Sequence, residues 1–187
     1  MREESAERIL PGTTGSAVPG TLDVLRLANE PTEARMSPEA IRTVVEQLRA
    51  LPDFFELSTE DRKQPSPSLS VWVEALTSVE EAWKLVGSVR RRRIVLKLAV
   101  DAIRSIRLEA ADPAHSGVDV VWEPATIIDN RGNRLPDFRP GAEGHAGITQ
   151  LDEGTRIQRK DLRAHLARIA TVRILSEVEL DRIASAT

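Results

Sequence analysis

The chain has 187 residues, 41% of them hydrophobic and 29% charged, with a formal net charge of −3; a single domain of this size buries about 70% of its unfolded surface, and a second full domain would be cramped. It contains no Cys, which excludes disulfide frameworks, Cys-ligated zinc, iron–sulfur clusters and thiol catalysis. Aromatics are 3% and Tyr is absent, so sequence-tolerant single-strand binding, which needs a row of stacking platforms, is disfavoured.

Met1 to Leu10 mixes Arg and Glu, and no apolar run approaches the roughly 20 residues of a membrane helix, so no membrane association and a cytoplasmic address are expected. Residues 1–35 read as a flexible N-terminal arm, with Gly12, Gly15, Gly20, Pro11, Pro19 and Pro31 among small polar residues and one short apolar stretch, Leu22 to Leu27, as a docked turn. Residues 36–187 read as a single α+β domain. Its first helix starts at Ser37, a cap followed by Pro38 and the stripe Ile41, Val44, Val45, Leu48, Leu51, and it ends at Pro52. Lys63 to Ser68 is a Pro-containing linker.

A second helical stretch is predicted over about Leu69 to Val86, with a capping box at Ser78 and Glu81, and a third over Ser88 to about Ile103. The period then changes. Ile106 and Leu108 alternate with Arg107 and Glu109, and Val118, Val120 and Trp122 alternate with Asp119 and Glu123, predicting a hairpin; a third short strand, Thr126 to Asp129, precedes a tight turn at Asn130 to Asn133. Residues 136–147 read as a loop. The tail returns to helix at Leu162, Leu166 and Ile169, with Ser176 capping a last helix through Glu179. The expected fold is therefore α+β, mainly helical, its helices packed around a small antiparallel hairpin or three-stranded sheet at about 105–129.

Charge is unevenly spread. Lys84 to Arg107 holds eight basic residues and one acid, Asp101, and residues 64–83 before it hold three acids and no base. Arg90, Arg91, Arg92 and Arg93 are the densest part, and guanidinium groups suit phosphate because each donates two parallel hydrogen bonds. The alternative is a solvated helix start paired with Glu80, Glu81 or other acids. His115, His145 and His165 have no partner at metal-site spacing, and no metal site is expected. His145, near Glu143 and between Gly144 and Gly147, is the best catalytic candidate in the chain, against the plainer reading of a mobile loop. Gly141, Gly144 and Gly147 lack the spacing of a nucleotide fingerprint. Trp72, Trp83 and Trp122 read as core anchors.

Glu81-Ala82-Trp83, then Arg90 to Arg93, an Ile-Val-Leu-Lys-Leu segment, an Ile-Arg-Leu strand and Val120-Val121-Trp122 resemble the C-terminal segment of large serine recombinases over residues 79–124. The resemblance implies an Arg-rich helix followed by two strands. The recombinase catalytic domain and zinc-ribbon cysteines are absent from this sequence, so what it implies is an accessory module without strand-cleavage chemistry.

The function expected from the sequence is a non-catalytic nucleic-acid-binding or partner-binding module, of a mobile element or phage assembly, with Arg90, Arg91, Arg92, Arg93 and Lys97 as the nucleic-acid-binding residues. No catalytic residue is assigned and no cofactor is expected; a homo-oligomer is compatible with the reading. The alternatives are a structural or assembly protein whose Arg-rich helix makes subunit contacts, and a small enzyme using the 136–147 loop.

Overall fold

The structure, a computed structural model, describes residues 9–62, 64, 66–87, 89–107 and 118–185. In chain order these form β1 (Asp23–Ala28), α1 (Pro38–Val45), a 3-10 turn (Pro52–Phe55), α2 (Thr59–Arg62), β2 (Ser68–Val73), α3 (Val79–Leu85), β3 (Ile94–Ala99) and α4 (Val100–Arg104). Then follow β4 (Val120–Trp122), β5 (Thr126–Ile128), β6 (Arg134–Pro136), a second 3-10 turn (Ala142–Gly144), β7 (His145–Thr149), α5 (Arg156–Ile169), β8 (Thr171–Ile174) and α6 (Glu177–Ser185).

The organising element is a six-stranded sheet in the order β4-β7-β2-β1-β3-β8, with β5 and β6 forming a separate hairpin. Every neighbouring pair is antiparallel. Because β2 and β3 both run against β1, they are parallel to each other, and α3 carries the chain across β1 between them. The expectation of a mainly helical fold around a small sheet at 105–129 is overturned: the sheet draws strands from residue 23 to residue 174.

Four local readings change with it. Leu22 to Leu27 is not a docked turn in an arm but most of β1, an inner strand of the sheet. The helix predicted over Leu69 to Val86 is β2 followed by α3, and the predicted helix over Ser88 to Ile103 is β3 followed by the short α4. Ile94-Val95-Leu96 is buried at three consecutive positions. A strand covered on both faces shows no alternation, and a short continuous apolar run fits either a strand or a helix. The hairpin expected around 112–117 lies partly outside the described residues, but β4 takes β7 as its partner. The Arg-rich helix that the recombinase resemblance implies is likewise not one helix: a turn at residues 90–91 leads into β3 from Ile94.

Other signals fold as they read. Ser37 caps α1, accepting from the Ala40 N–H at 3.2 Å, and Ser78 with Glu81 forms the capping box of α3. Ser176 and Glu179 make the same reciprocal bonds before α6. The three Trp residues are 7%, 2% and 3% exposed.

The sheet carries a core on each face. Val24, Val71, Leu96, Val120 and Ile148 meet α1, α4, α5 and the first 3-10 turn through Val44, Phe55, Ile103 and Leu166. On the opposite face Leu25, Leu27, Trp72 and Val95 meet α3 and α6 through Trp83, Leu180 and Ile183. Each such apolar side chain contributes roughly 1.5–3 kcal/mol by leaving water. The outer edge of β4 is covered by residues 15–18: Gly15 N–H donates to the Trp122 carbonyl at 2.8 Å and Val18 N–H to the Val120 carbonyl at 2.9 Å. The second face is covered unevenly. Beyond α3 and α6, Ser68, Ser70, Glu123 and His145 line an open cleft.

Candidate functional site: two adjoining cavities

The five basic residues expected to bind nucleic acid do not form one patch. Arg90 reaches Asp181 at 2.6 Å and Glu177 at 3.4 Å, and Arg93 pairs with Glu30 at 3.0 Å and with Glu177. Lys97 lies between Glu74 at 2.6 Å and Asp23 at 2.9 Å, whose hydrogen bonds push its pKa up to about 12. These three tie β3 to β1, to the end of β2 and to α6. Arg92 donates to the Val86 carbonyl. Arg91 is exposed and makes no side-chain bond among the described residues.

Arg91 and Arg92 instead line a cavity of about 510 Å³ with Arg26 and Arg35. Arg26 explains why the cavity exists. β1 and β2 pair only at Val24↔Val73 and Leu25↔Trp72, then diverge. The Arg26 guanidinium fills the gap, donating to the Ser70 carbonyl at 3.0 Å and to the Phe54 carbonyl at 2.7 Å. Burial pulls its pKa down to about 10, against the attraction of Asp61. Burial also lowers the Arg92 pKa, and the neighbouring Arg91 charge adds to the shift. Asp53 and Asp61 line the same cavity, so it is not uniformly positive. Asn29 contributes a buried Oδ1 with no hydrogen-bond partner among the described residues.

A cleft of about 700 Å³ adjoins it, sharing Asp61, Ser70 and Trp72. Its floor follows from strand alternation: Leu69, Val71 and Val73 point into the first core, so Ser68, Ser70 and Trp72 share the other face. In register with Trp72 on β7 stands His145, its ring edge-on at a centroid distance of 5.7 Å. Glu123, just past β4, donates its N–H to the His145 carbonyl at 3.3 Å and accepts the Ser68 hydroxyl at 2.8 Å. The Glu123 carboxyl lies over Gly147, where an added Cβ would stand 2.4 Å from Oε1. Only a residue without a side chain lets it lie there.

Burial pushes the Glu123 carboxyl up, Asp61 adding to it and the Ser68 bond opposing. Burial pushes the His145 imidazole down, while the carbonyls of Glu123 and Pro124 lean the other way. In each case burial works against the charged form. Asp137 also lines the cleft; its side chain is 4% exposed, and its bond from Arg139 at 2.6 Å holds its pKa below the ordinary range. The Trp72 Nε1 donor is buried and has no partner among the described residues. Among the described residues no group of three or more His, Cys, Asp or Glu is arranged to hold a metal ion.

The segment before β7 is an anchored strap rather than a mobile loop. The Thr77 hydroxyl donates to the Gly141 carbonyl at 2.6 Å, and Arg139 donates to the Lys84 and Leu85 carbonyls at 3.2 Å each, at the end of α3. Gly141 takes φ 81°, a conformation open to glycine at little cost. His145 consequently sits on a strand. His165 is on α5, and His115 lies outside the described residues.

Reading the sequence missed Glu123, Ser68, Trp72, Arg26 and Arg35 as site residues. One signal was present: Ser68-x-Ser70-x-Trp72 alternates with Leu69, Val71 and Val73, a strand with one apolar and one mixed face. The convergence of β1, β2, β4 and β7 had none. No known protein family, curated protein or solved structure matches the chain.

Proposed function

We propose that this chain is a non-catalytic binding module for a phosphate-bearing partner, nucleic acid in the first instance, seated in the arginine-lined cavity rather than along a basic helix. The observation that carries the reading is the convergence of Arg26, Arg35, Arg91 and Arg92 on one 510 Å³ cavity, with Arg35 and Arg91 exposed and making no side-chain bond among the described residues. Guanidinium groups on the wall of a concave site are well suited to phosphate oxygens. A cytoplasmic address belongs to the same proposal, and no helix among the described residues is long and apolar enough to cross a membrane. The assembly alternative loses support, since Arg90 and Arg93 make their ion pairs within the chain.

The test is fluorescence anisotropy of a short 5′-phosphorylated single strand across a salt series. Binding is expected at low salt, and replacing Arg35 and Arg91 with Gln should weaken it and flatten the slope of log affinity against log salt by about one unit per lost phosphate contact. The folding midpoint should stay put, because neither side chain holds the fold. No binding at low ionic strength would overturn the reading. A second reading, acid–base catalysis in the adjoining cleft, is favoured by Glu123 and His145 lining it together, with burial opposing the charged form of each. Chemical turnover of a bound ligand, lost in Glu123→Gln, would put it first.

A further inference from the structure

The arginine cavity and the polar cleft share three residues and differ in chemistry. One end offers arginines; the other offers Ser68, Glu123, Asp137 and His145 around the Trp72 edge. A ligand occupying both needs an anionic end and a planar, uncharged end rich in hydrogen-bonding atoms.

We propose that the two cavities together hold one nucleotide, its phosphate against Arg35 and Arg91 and its base in the cleft against Trp72, Ser68 and Glu123. The proposal rests on the phosphate-binding reading above and extends it to the rest of the ligand.

Trp72 is the first support. It is 7% exposed, lines both cavities, and its buried Nε1 donor has no partner among the described residues. Buried indole N–H groups are normally matched, so a base acceptor at this position would complete it. Asn29 repeats the pattern in the arginine cavity, where its buried Oδ1 has no donor among the described residues, one that a sugar hydroxyl would supply. Glu123 is the third support. Its carboxyl is held over Gly147 by the Ser68 hydroxyl. A carboxyl fixed in this way offers acceptor oxygens to the amino group on a nucleobase edge. Volumes of about 510 and 700 Å³ fall within the range of small-molecule sites. The Trp72–His145 pair adds an aromatic wall. One walled pocket for a single base also agrees with a chain too poor in aromatics to stack a row of them.

Calorimetric titration of the full chain tests this with the four nucleoside monophosphates, ribose 5-phosphate, inorganic phosphate, and a tetranucleotide with and without a 5′-phosphate. At least one nucleoside monophosphate should bind about tenfold or more tighter than ribose 5-phosphate. Trp72→Phe, which removes Nε1 and keeps most of the ring, should erase most of that gain and leave ribose 5-phosphate binding intact. Trp72 also packs in a core, so Glu123→Gln is the second variant. It can keep the Ser68 bond but exchanges the carboxyl for an amide, and should change the order of preference among the four bases. Equal binding of nucleotides and ribose 5-phosphate would overturn the base site while leaving the phosphate reading standing. Failure of every phosphate-bearing probe would sink both. Where the monophosphate binds, a 5′-phosphorylated tetranucleotide of equal affinity identifies a strand end as the source, and a much weaker one identifies the free nucleotide.

Discussion

Arg26 stands where β1 and β2 part after two paired residues, and its guanidinium supplies the donors that the ladder no longer provides. Arg26→Ala leaves two carbonyls without their donor and opens a hole, so it should lower unfolding free energy by about 3 kcal/mol in urea denaturation. Arg26→Lys should recover only part, because one ammonium cannot reproduce the planar fork. An unchanged midpoint in Arg26→Ala would mean that water replaces the guanidinium without cost. Glu123 and His145 set opposite pH windows. The folded pKa of Glu123 is raised, so its contribution is fully present below the ordinary carboxylate pKa and is lost as pH rises through the folded value. Glu123→Gln should therefore be at least as stable as the parent at pH 7, the difference shrinking toward pH 4 in thermal melts. The folded pKa of His145 is lowered, so its contribution is present above the ordinary imidazole pKa and is lost as pH falls below it. The parent should therefore lose stability relative to His145→Gln as the pH is lowered through the imidazole range in thermal melts, and a difference that stays constant with pH would contradict that assignment. Neither shift was legible in the sequence, since His145 and Glu123 are 22 positions apart and only the β4–β7 ladder makes them neighbours.

At the scale of elements, α6 shows how packing outranks charge. Arg90 and Arg93 reach it from the start of β3 through Glu177 and Asp181, but those pairs lie largely in solvent, whereas Leu180 and Ile183 are 0% and 2% exposed against Trp83 and Val95. Leu180→Ala should cost about 2–4 kcal/mol, while Arg90→Gln should leave the thermal midpoint where it was, because exposed pairs in water contribute little. A larger loss from Arg90→Gln than from Leu180→Ala would reverse that ranking. The caps were legible for a local reason: Ser37, Ser78 and Ser176 meet their partners three residues away, so the motif lies entirely within a short stretch of sequence. The β3 segment was misread for the opposite reason. Its bonding partners lie on β1 and β8, and an unbroken apolar run such as Ile94-Val95-Leu96 does not distinguish a ladder made elsewhere from a helix made locally, whereas the alternation in β2 was there to be read.

For the whole molecule, the decisive fact is that β1 lies between β2 and β3 and contributes to both cores, through Val24 on one face and Leu25 and Leu27 on the other. Deleting residues 1–28 should abolish cooperative unfolding and near-ultraviolet circular dichroism rather than trim an arm; a truncated chain that still melts cooperatively would show that the sheet can close without β1. The sequence by itself determined what short-range chemistry can specify: the capped starts of α1, α3 and α6, the turn at Asn130 to Asn133, the burial of the three Trp residues, and the exclusion of cysteine chemistry. Which runs become strands, and which strands become neighbours, was decided only in the tertiary structure, because β pairing depends on residues tens of positions away. The same holds for the site. The Arg90 to Arg93 run was visible as charge, but ion pairs formed across the fold occupy Arg90 and Arg93, while Arg91 and Arg92 line one cavity with Arg26 and Arg35. A run of like residues states how much charge is present; the packing around it decides which of those charges face an open cavity.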